Sequence, residues 1–252
     1  MTADLHTHIL PGMDDGARTV EESLVLLRKE QESGVDTVAL TSHFRTDKES
    51  VESYVARRNK AFQTLQQAVE AEGLPIRLIP AAEVMYSSTL LEMDPTGLCY
   101  AGTNTLLIEL LPHVFPAGFD RFLFEIGTRG YTILIAHVDR YPYLMESPHI
   151  LTQWVKQGCY CHINASAVLH DRKMLSFATA AIRHGLVHLI ASDTHSITKR
   201  PPLLQEAFAM MQKRCGSETV KEIQENPKLL LTGRKLIAPP PTEMKKRFGR
   251  YI

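Results

Sequence analysis

Short apolar runs alternate with longer amphipathic ones along almost the whole chain, and this alternation restricts the fold more than any other feature. Branched, apolar segments rich in β-formers fall at residues 3–8, 36–41, 76–84, 105–111, 132–138, 159–165 and 186–192. Between them lie stretches of helical period. The first opens on Thr19-Val20-Glu21-Glu22, a capping-box spacing, and runs to Gly34; a second spans 50–72 and is closed by Gly73. Others fall near 117–129, 147–157, 171–184, 201–214 and 218–225. Seven strands that mostly alternate with helices imply parallel pairing and an α/β fold. Periodicity alone leaves an open doubly wound sheet and a closed barrel both available. The polar residues decide, because they collect at the C-terminal ends of the strands, where α/β barrels carry their chemistry.

Reading those ends in order gives His6 and His8, then His43, Glu83, Glu109, His137 with Asp139, and finally Asp193 with His195. Residues i and i+2 of a strand share a face, so His6/His8 and Asp193/His195 each present two donors in one direction. Imidazoles and carboxylates converging on one mouth are a metal-site composition. Glu109 stands inside Thr-Leu-Leu-Ile-Glu-Leu-Leu, where a carboxylate is costly unless it is paired or bound to a cation. The remaining single histidines carry less weight. His113, His149, His170, His184 and His188 fall in loops or at helix ends and read as structural, and Asp139 has Arg140 beside it as an ordinary ion-pair partner.

The segment D-L-H-T-H-I-L-P-G-M-D-D-G-A at residues 4–17 resembles the opening motif of the PHP (polymerase and histidinol phosphatase) superfamily. More narrowly, it resembles the bacterial manganese-dependent protein-tyrosine phosphatases of capsule and exopolysaccharide systems. Later motifs follow in the family's order: T-S-H at 41–43, A-E-V at 82–84, I-E-L at 108–110, A-H-V-D-R-Y at 136–141, A-S-D-T-H at 191–195, then Arg200-Pro201. The resemblance spans residues 4–201. It implies a distorted (β/α)7 barrel of the PHP type holding three metal ions. Carried over position by position, His6, His8, Glu83 and Asp193 hold one ion, and Glu83, Glu109 and His137 a second, with Glu83 as the bridge. Asp15, His43 and His195 hold the third, and Asp14 stands behind them as a loop or supporting residue. Manganese is the implied ion, while the donor types also suit iron or zinc. Val138-Asp139 stands where the family often has Pro-Glu, and Phe44-Arg45 where it is richer in His or Asn.

The activity this implies is hydrolysis of phosphotyrosine by attack of a metal-activated hydroxide, with Arg140 and Arg200 gripping the phosphoryl oxygens. The implied substrates are tyrosine-rich tails of bacterial tyrosine kinases that control polysaccharide assembly. The alternative is a histidinol-phosphate or other small-molecule phosphomonoesterase of the same superfamily. A cysteine-dependent route is excluded by spacing, since it needs Arg six residues after the nucleophile. Thr105, Ala165, Ala167 and Lys221 stand there after Cys99, Cys159, Cys161 and Cys215. Cys159 and Cys161 read as buried core thiols.

Charge and length bound what remains. Lys+Arg and Asp+Glu balance at 28 each, which argues against the basic surface that generic nucleic-acid binding needs. No uncharged apolar run approaches the ~18 residues of a membrane span, and the start lacks the basic and apolar regions of a signal peptide, so a cytoplasmic protein is expected. Residues 1–238 read as a single domain of the size many α/β barrels fill. Beyond them, Pro239-Pro240-Pro241 reads as a stiff linker to a basic tail, 239–252, with Lys245, Lys246, Arg247 and Arg250 interleaved with Phe248 and Tyr251. That tail reads as a solvated or loosely docked terminus, or as an electrostatic docking strip for an acidic or phosphorylated partner.

Overall fold

The computed structural model describes residues 2–247 and 250–251; Phe248 lies outside them. All seven expected strands are present, but two are interrupted. Strands β1 (Ala3–Thr7), β2 (Thr37–Leu40) and β4 (Arg77–Pro80) form a three-stranded parallel sheet in the order β1-β2-β4. A six-stranded parallel sheet contains β3 (His43–Phe44), β5 (Glu83–Met85), β6 (Thr105–Glu109), β7 (Thr132–Ile135), β8 (Tyr160–Asn164) and β9 (Leu189–Ala191), in that order. The chain passes from one sheet to the other at Thr41-Ser42 and again at Ala81-Ala82. There the Glu83 amide donates to the carbonyls of Thr41 and Ser42, both at 3.1 Å.

The α/β class with parallel strands is therefore as expected, whereas no sheet closes on itself among the described residues. The two sheets meet at β1 and the segment after β9 through a single parallel bridge, Thr7 to Thr194. The His8 amide donates to the Thr194 carbonyl (2.8 Å) and the Asp193 amide to that of His6 (2.9 Å). Asp193 has φ 55°, outside the extended region, and this ends β9 before a continuous ladder can form.

Helices follow the expected pattern. In α1 (Val20–Glu32), Thr19 accepts from the Glu22 amide and Glu21 and Glu22 occupy the positive first turn. Ser50 caps α2 (Val51–Ala71) in the same way. The helices α3 (Phe119–Thr128), α4 (Pro142–Glu146), α5 (His149–Lys156), α6 (Ala165–His170), α7 (Arg172–Arg183), α8 (Leu204–Cys215) and α9 (Ser217–Leu231) complete the set. The short α4 and α6 carry too few turns for a periodic signal. α9 runs beyond the expected 218–225, through Pro227. An interior proline costs ~3 kcal/mol, and burial of Leu229 and Leu230, at ~1.5–3 kcal/mol each, offsets it.

Strand alternation sorts the core into two clusters. Val38, Leu40, Ile108, Ile133, Ile135, Cys161, Ile163 and Ile190 belong to the larger one, which the helices share. Cys159 and Cys161 are buried and reduced there, as core thiols. Ala3, Leu5, Ala39, Ile79, Leu107 and Leu134 face the other way and join Leu229, Leu230 and Leu236. The basic end lies against the body. The Thr242 amide donates to the His184 carbonyl (3.0 Å), and Met244 is buried. An antiparallel pair of two-residue strands, β10 (Lys246–Arg247) and β11 (Arg250–Tyr251), sets the Tyr251 ring 5.3 Å from Phe177 with its hydroxyl donating to the Met145 carbonyl (3.2 Å).

Candidate metal centre

The smaller core cluster changes character along each strand. Moving two residues at a time toward the C-terminal end, Ile79-Ala81 leads to Glu83, Leu107 to Glu109, Leu189-Ala191 to Asp193, and Ala39-Thr41 to His43. Each is the one face of a strand, apolar below and ionisable above. Three donors at two places break that parity and reach the mouth by local distortion. β1 shifts register between Asp4 and Thr7, which turns His6 and His8 inward, and His137 adopts φ 29° after Ala136.

All nine residues expected to bind metal meet at this mouth. Four groups have ligand atoms within 4.8 Å of one another: His6/His8/Asp193, His6/Glu83/His137, His43/Glu83/Glu109, and His8/Asp15/His43/His195. Glu83 is the hub. Its Oε2 lies 3.2 Å from His6 Nε2, 3.2 Å from His8 Nε2 and 3.0 Å from His43 Nδ1, and its Oε1 lies 2.8 Å from His137 Nε2. Around it, His137 Nε2 is 3.5 Å from Glu109 Oε1, and His6 Nε2 is 3.6 Å from Asp193 Oδ1. Asp15 Oδ1 lies 3.5 Å from His43 Nε2 and 3.4 Å from His195 Nε2. The centre grades from sealed to open, since His6, His8 and Glu83 are buried while the Asp15 side chain is 61% exposed.

The donors fit cations better than one another. Glu83 Oε2 and His195 Nε2 are buried yet make no hydrogen bond, although imidazole nitrogens or a carboxylate oxygen stand within 3.4 Å of each. Atoms that close without hydrogen-bond geometry are arranged around points between them. Burial and the adjacent Glu83 carboxylate push Glu109 up to about 7, the response of a carboxyl facing a like charge. Burial works against the charge of Glu83, but His6, His137 and His43 overcome it and hold the carboxyl well below its usual range.

A ring of supporting contacts fixes the donors. Asp14 Oδ2 lies 2.7 Å from His8 Nδ1 and accepts the His43 amide (2.9 Å), and its Oδ1 accepts the Gly16 amide (3.0 Å). At Gly16 a Cβ would sit 1.9 Å from the His8 carbonyl oxygen, so only glycine lets this loop lie on the strand. Arg140 pairs with Asp193 Oδ2, and Arg200 reaches Asp193 Oδ2 (3.4 Å) and Asp15 Oδ2 (3.1 Å). Asp139 is buried and accepts the Asn164 amide (2.9 Å), while Arg45 pairs with Asp47. Asn164 Nδ2 donates to Asp193 Oδ2 (3.1 Å) and the Tyr141 hydroxyl pairs with His137 Nδ1 (3.2 Å).

His162 was not among the residues singled out from the sequence. It is buried on β8 with Nε2 2.9 Å from His6 Nδ1. The signal was available, because His162 and Asn164 occupy the inner face of the one strand from which no end residue was taken. Of the histidines read as structural, His188 accepts the Cys161 amide (3.2 Å) and His184 pairs with Thr242 (2.7 Å). Beside Asp15, His195 and Arg200 a cleft of about 730 Å³ opens, bordered also by Arg18, Val25 and Ile197.

Known proteins resemble this chain over nearly its full length. The chain is 28% identical to the tyrosine-protein phosphatase YwqE of Bacillus subtilis (strain 168), covering 98% of this chain and 99% of that one. It is 30% identical to the tyrosine-protein phosphatase CpsB of Streptococcus pneumoniae, covering 90% and 97%. The crystal structures of YwqE and CpsB, described as unique metal-dependent tyrosine phosphatases, include a chain that superposes with a TM-score of 0.89 at 26% identity, over 97% of this chain and 100% of that one. A histidinol phosphate phosphatase from Lactococcus lactis shares the fold, with a TM-score of 0.51 at 13% identity over 85% of this chain and 94% of that one. Residues 2–232 match the family model for capsular polysaccharide synthesis, CpsB/CapC, and the chain belongs to that family.

Proposed function

We propose that this chain is a metal-dependent protein-tyrosine phosphatase, and that the convergence of nine imidazole and carboxylate side chains around Glu83 is its catalytic centre. The convergence carries the reading, since no structural economy explains burying so many ionisable groups against one another. His6, His8, Glu83 and Asp193 would hold one ion, Glu83, Glu109 and His137 a second, and Asp15, His43 and His195 a third, with Mn²⁺ as the ion. Bound there, such ions supply Lewis-acid chemistry, polarising phosphoryl oxygens and making water a nucleophile near neutral pH.

The chain's own residues do the rest. Arg140 and Arg200, each about one-third exposed, stand on the rim with their guanidinium groups already oriented by Asp193. A phosphoryl group entering above Asp193 meets two planar forks suited to its non-bridging oxygens. Asp14 orients His8, and Tyr141 orients His137, so the donors do not reorganise during turnover. A tyrosine leaving group has a pKa near 10, so its departure needs less proton assistance than that of a serine alkoxide. The buried thiols take no part, and the cleft beside Asp15 and Arg200 gives residues flanking the tyrosine room to lie.

The family's tie to capsular polysaccharide synthesis supports a phosphorylated bacterial tyrosine kinase of that system as the substrate. No described helix is long and apolar enough to cross a membrane, in keeping with action in the cytoplasm. Parallel strands joined by the Thr7–Thr194 bridge support a distorted (β/α)7 barrel, with residues 1–238 as one domain and 239–252 as its appendage. Assay of a phosphotyrosine peptide, a phosphoserine peptide and histidinol phosphate with Mn²⁺-loaded protein tests the reading. The phosphotyrosine peptide should be turned over fastest by kcat/KM; preference for histidinol phosphate would move the protein to the small-molecule phosphatases.

A further inference from the structure

We infer that His162 is a positioning residue that sets two metal donors at once, selecting the tautomer of His6 and pinning the backbone of His137. The inference rests on the metal-centre reading above and extends it to a residue outside the nine donors. His162 is 1% exposed and lies on β8 beneath the mouth. Its Nε2 accepts the backbone N–H of His137 (3.3 Å) and stands 2.9 Å from His6 Nδ1.

A peptide N–H is always a donor, so the nitrogen it addresses must carry a lone pair. His162 Nε2 is therefore unprotonated and the proton of the neutral ring is on Nδ1, which is buried and has no hydrogen-bond partner of its own among the described residues, so the assignment rests on the two contacts of Nε2. Two bare nitrogens do not sit 2.9 Å apart, so His6 Nδ1 carries a proton and donates it to His162 Nε2. The His6 proton is then fixed on the side away from the mouth. His6 Nε2 is left with its lone pair aimed at the space shared with His8 Nε2 (3.2 Å), Glu83 Oε2 (3.2 Å) and Asp193 Oδ1 (3.6 Å). A metal-binding imidazole needs that tautomer, and a carboxylate or carbonyl usually enforces it through the other nitrogen. Here a second, buried imidazole does so.

The same lone pair serves His137. Its φ of 29° lies in a region that is strained for a residue with a side chain, and it is the distortion that turns the ring off the strand's parity toward Glu83. The His137 N–H bond to His162 holds the backbone at this point. One acceptor atom thus joins donors from two neighbouring groups, and its removal should loosen both.

Nitrogen-15 NMR of histidine-labelled full-length protein, metal-free and then titrated with Zn²⁺ as a diamagnetic probe, tests this together with calorimetric Zn²⁺ affinity. In wild-type protein both His6 and His162 should show the Nδ1–H tautomer before zinc is added. His162→Leu should leave His6 a mixture of tautomers and weaken zinc binding about 10–100-fold. His162→Gln places an amide oxygen near the lost Nε2 and should restore most of both. An Nε2–H tautomer at His162, or a folded His162→Leu protein with unchanged His6 tautomer and zinc affinity, would overturn the inference. If His162→Leu does not fold, the wild-type tautomers and the glutamine variant decide: glutamine binding zinc as weakly as a mouth lacking a donor counts against it. Failure of wild-type protein to bind zinc would remove the metal-centre reading itself, whereas zinc bound with other tautomers would remove this inference alone.

Discussion

The floor and the mouth of the molecule are built by the same strands and obey opposite rules. At the floor, Ile79, Leu107, Leu134 and Leu189 pack with Leu229, Leu230 and Leu236 in a cluster without a carboxylate, imidazole or cationic member. Two to four residues further along the same faces stand Glu83, Glu109 and Asp193, so close together that burial and like charge push Glu109 up to about 7. The floor satisfies its neighbours by packing; the mouth leaves Glu83 Oε2 and His195 Nε2 buried without a hydrogen bond. A rigid apolar layer thus carries a polar layer that is frustrated when taken alone, which is how a preorganised binding site differs from a core.

The strongest way to break this contrast is to neutralise its hub. Glu83→Gln removes the charge that four imidazoles share, and phosphotyrosine turnover should fall by more than the ~10²–10³ typical of one lost oxyanion donor. Metal content measured on the same sample should fall with it. Leu107→Ala, one step down β6 from Glu109, should instead cost ~2–5 kcal/mol in denaturant unfolding through the cavity it leaves, while saturating Mn²⁺ still restores turnover. Loss of metal binding by the folded Leu107→Ala protein would show that floor and mouth are not separable.

Arg200→Ala sharpens the division inside the mouth. Its guanidinium contacts Asp193 and Asp15 without belonging to the donor set. Turnover should drop ~10²–10³-fold with metal content unchanged, and Arg200→Lys should recover only part because an ammonium has no planar fork. The smallest effect expected lies at the floor. His188, just before β9, is buried and held down to about 4 against an ordinary 6.5. Its folded pKa lies below the unfolded one, so its contribution is complete above pH 6.5 and is lost as pH falls toward 4, by roughly 3 kcal/mol. Unfolding of metal-stripped protein should therefore show a shallower acid limb between pH 6.5 and 4 in His188→Gln than in wild type; identical slopes would contradict the assignment.

Much of both layers was legible in the sequence, and for the same reason. Strand alternation is local, so the seven strand positions and the ionisable residues at their ends follow from spacing two apart. The break between β2 and β3 was not legible, because Thr41-Ser42 contains neither glycine nor proline and bends only to suit neighbouring strands; the break between β4 and β5 had a signal in Pro80, which ends β4. The lack of a closed ladder likewise depends on the backbone of Asp193, which its side chain does not announce. His162 was hidden inside Tyr160-Cys161-His162-Ile163-Asn164, which reads as an ordinary core strand until His6 and His137 are placed beside it. The basic end was legible only as a solvated or loosely docked terminus, because prolines and charges outweigh Met244 and Tyr251 in any compositional reading; Met244 is buried and Tyr251 lies against Phe177 and Met145.

The most direct test of the central claim, that the mouth is a metal centre acting on phosphotyrosine, is to follow turnover and bound metal together. Wild-type protein is stripped with a chelator and titrated with Mn²⁺, and the initial rate on a phosphotyrosine peptide is recorded at each measured occupancy. The rate should vanish in the stripped protein and return as the sites fill. Undiminished phosphotyrosine hydrolysis by metal-free protein would contradict the account.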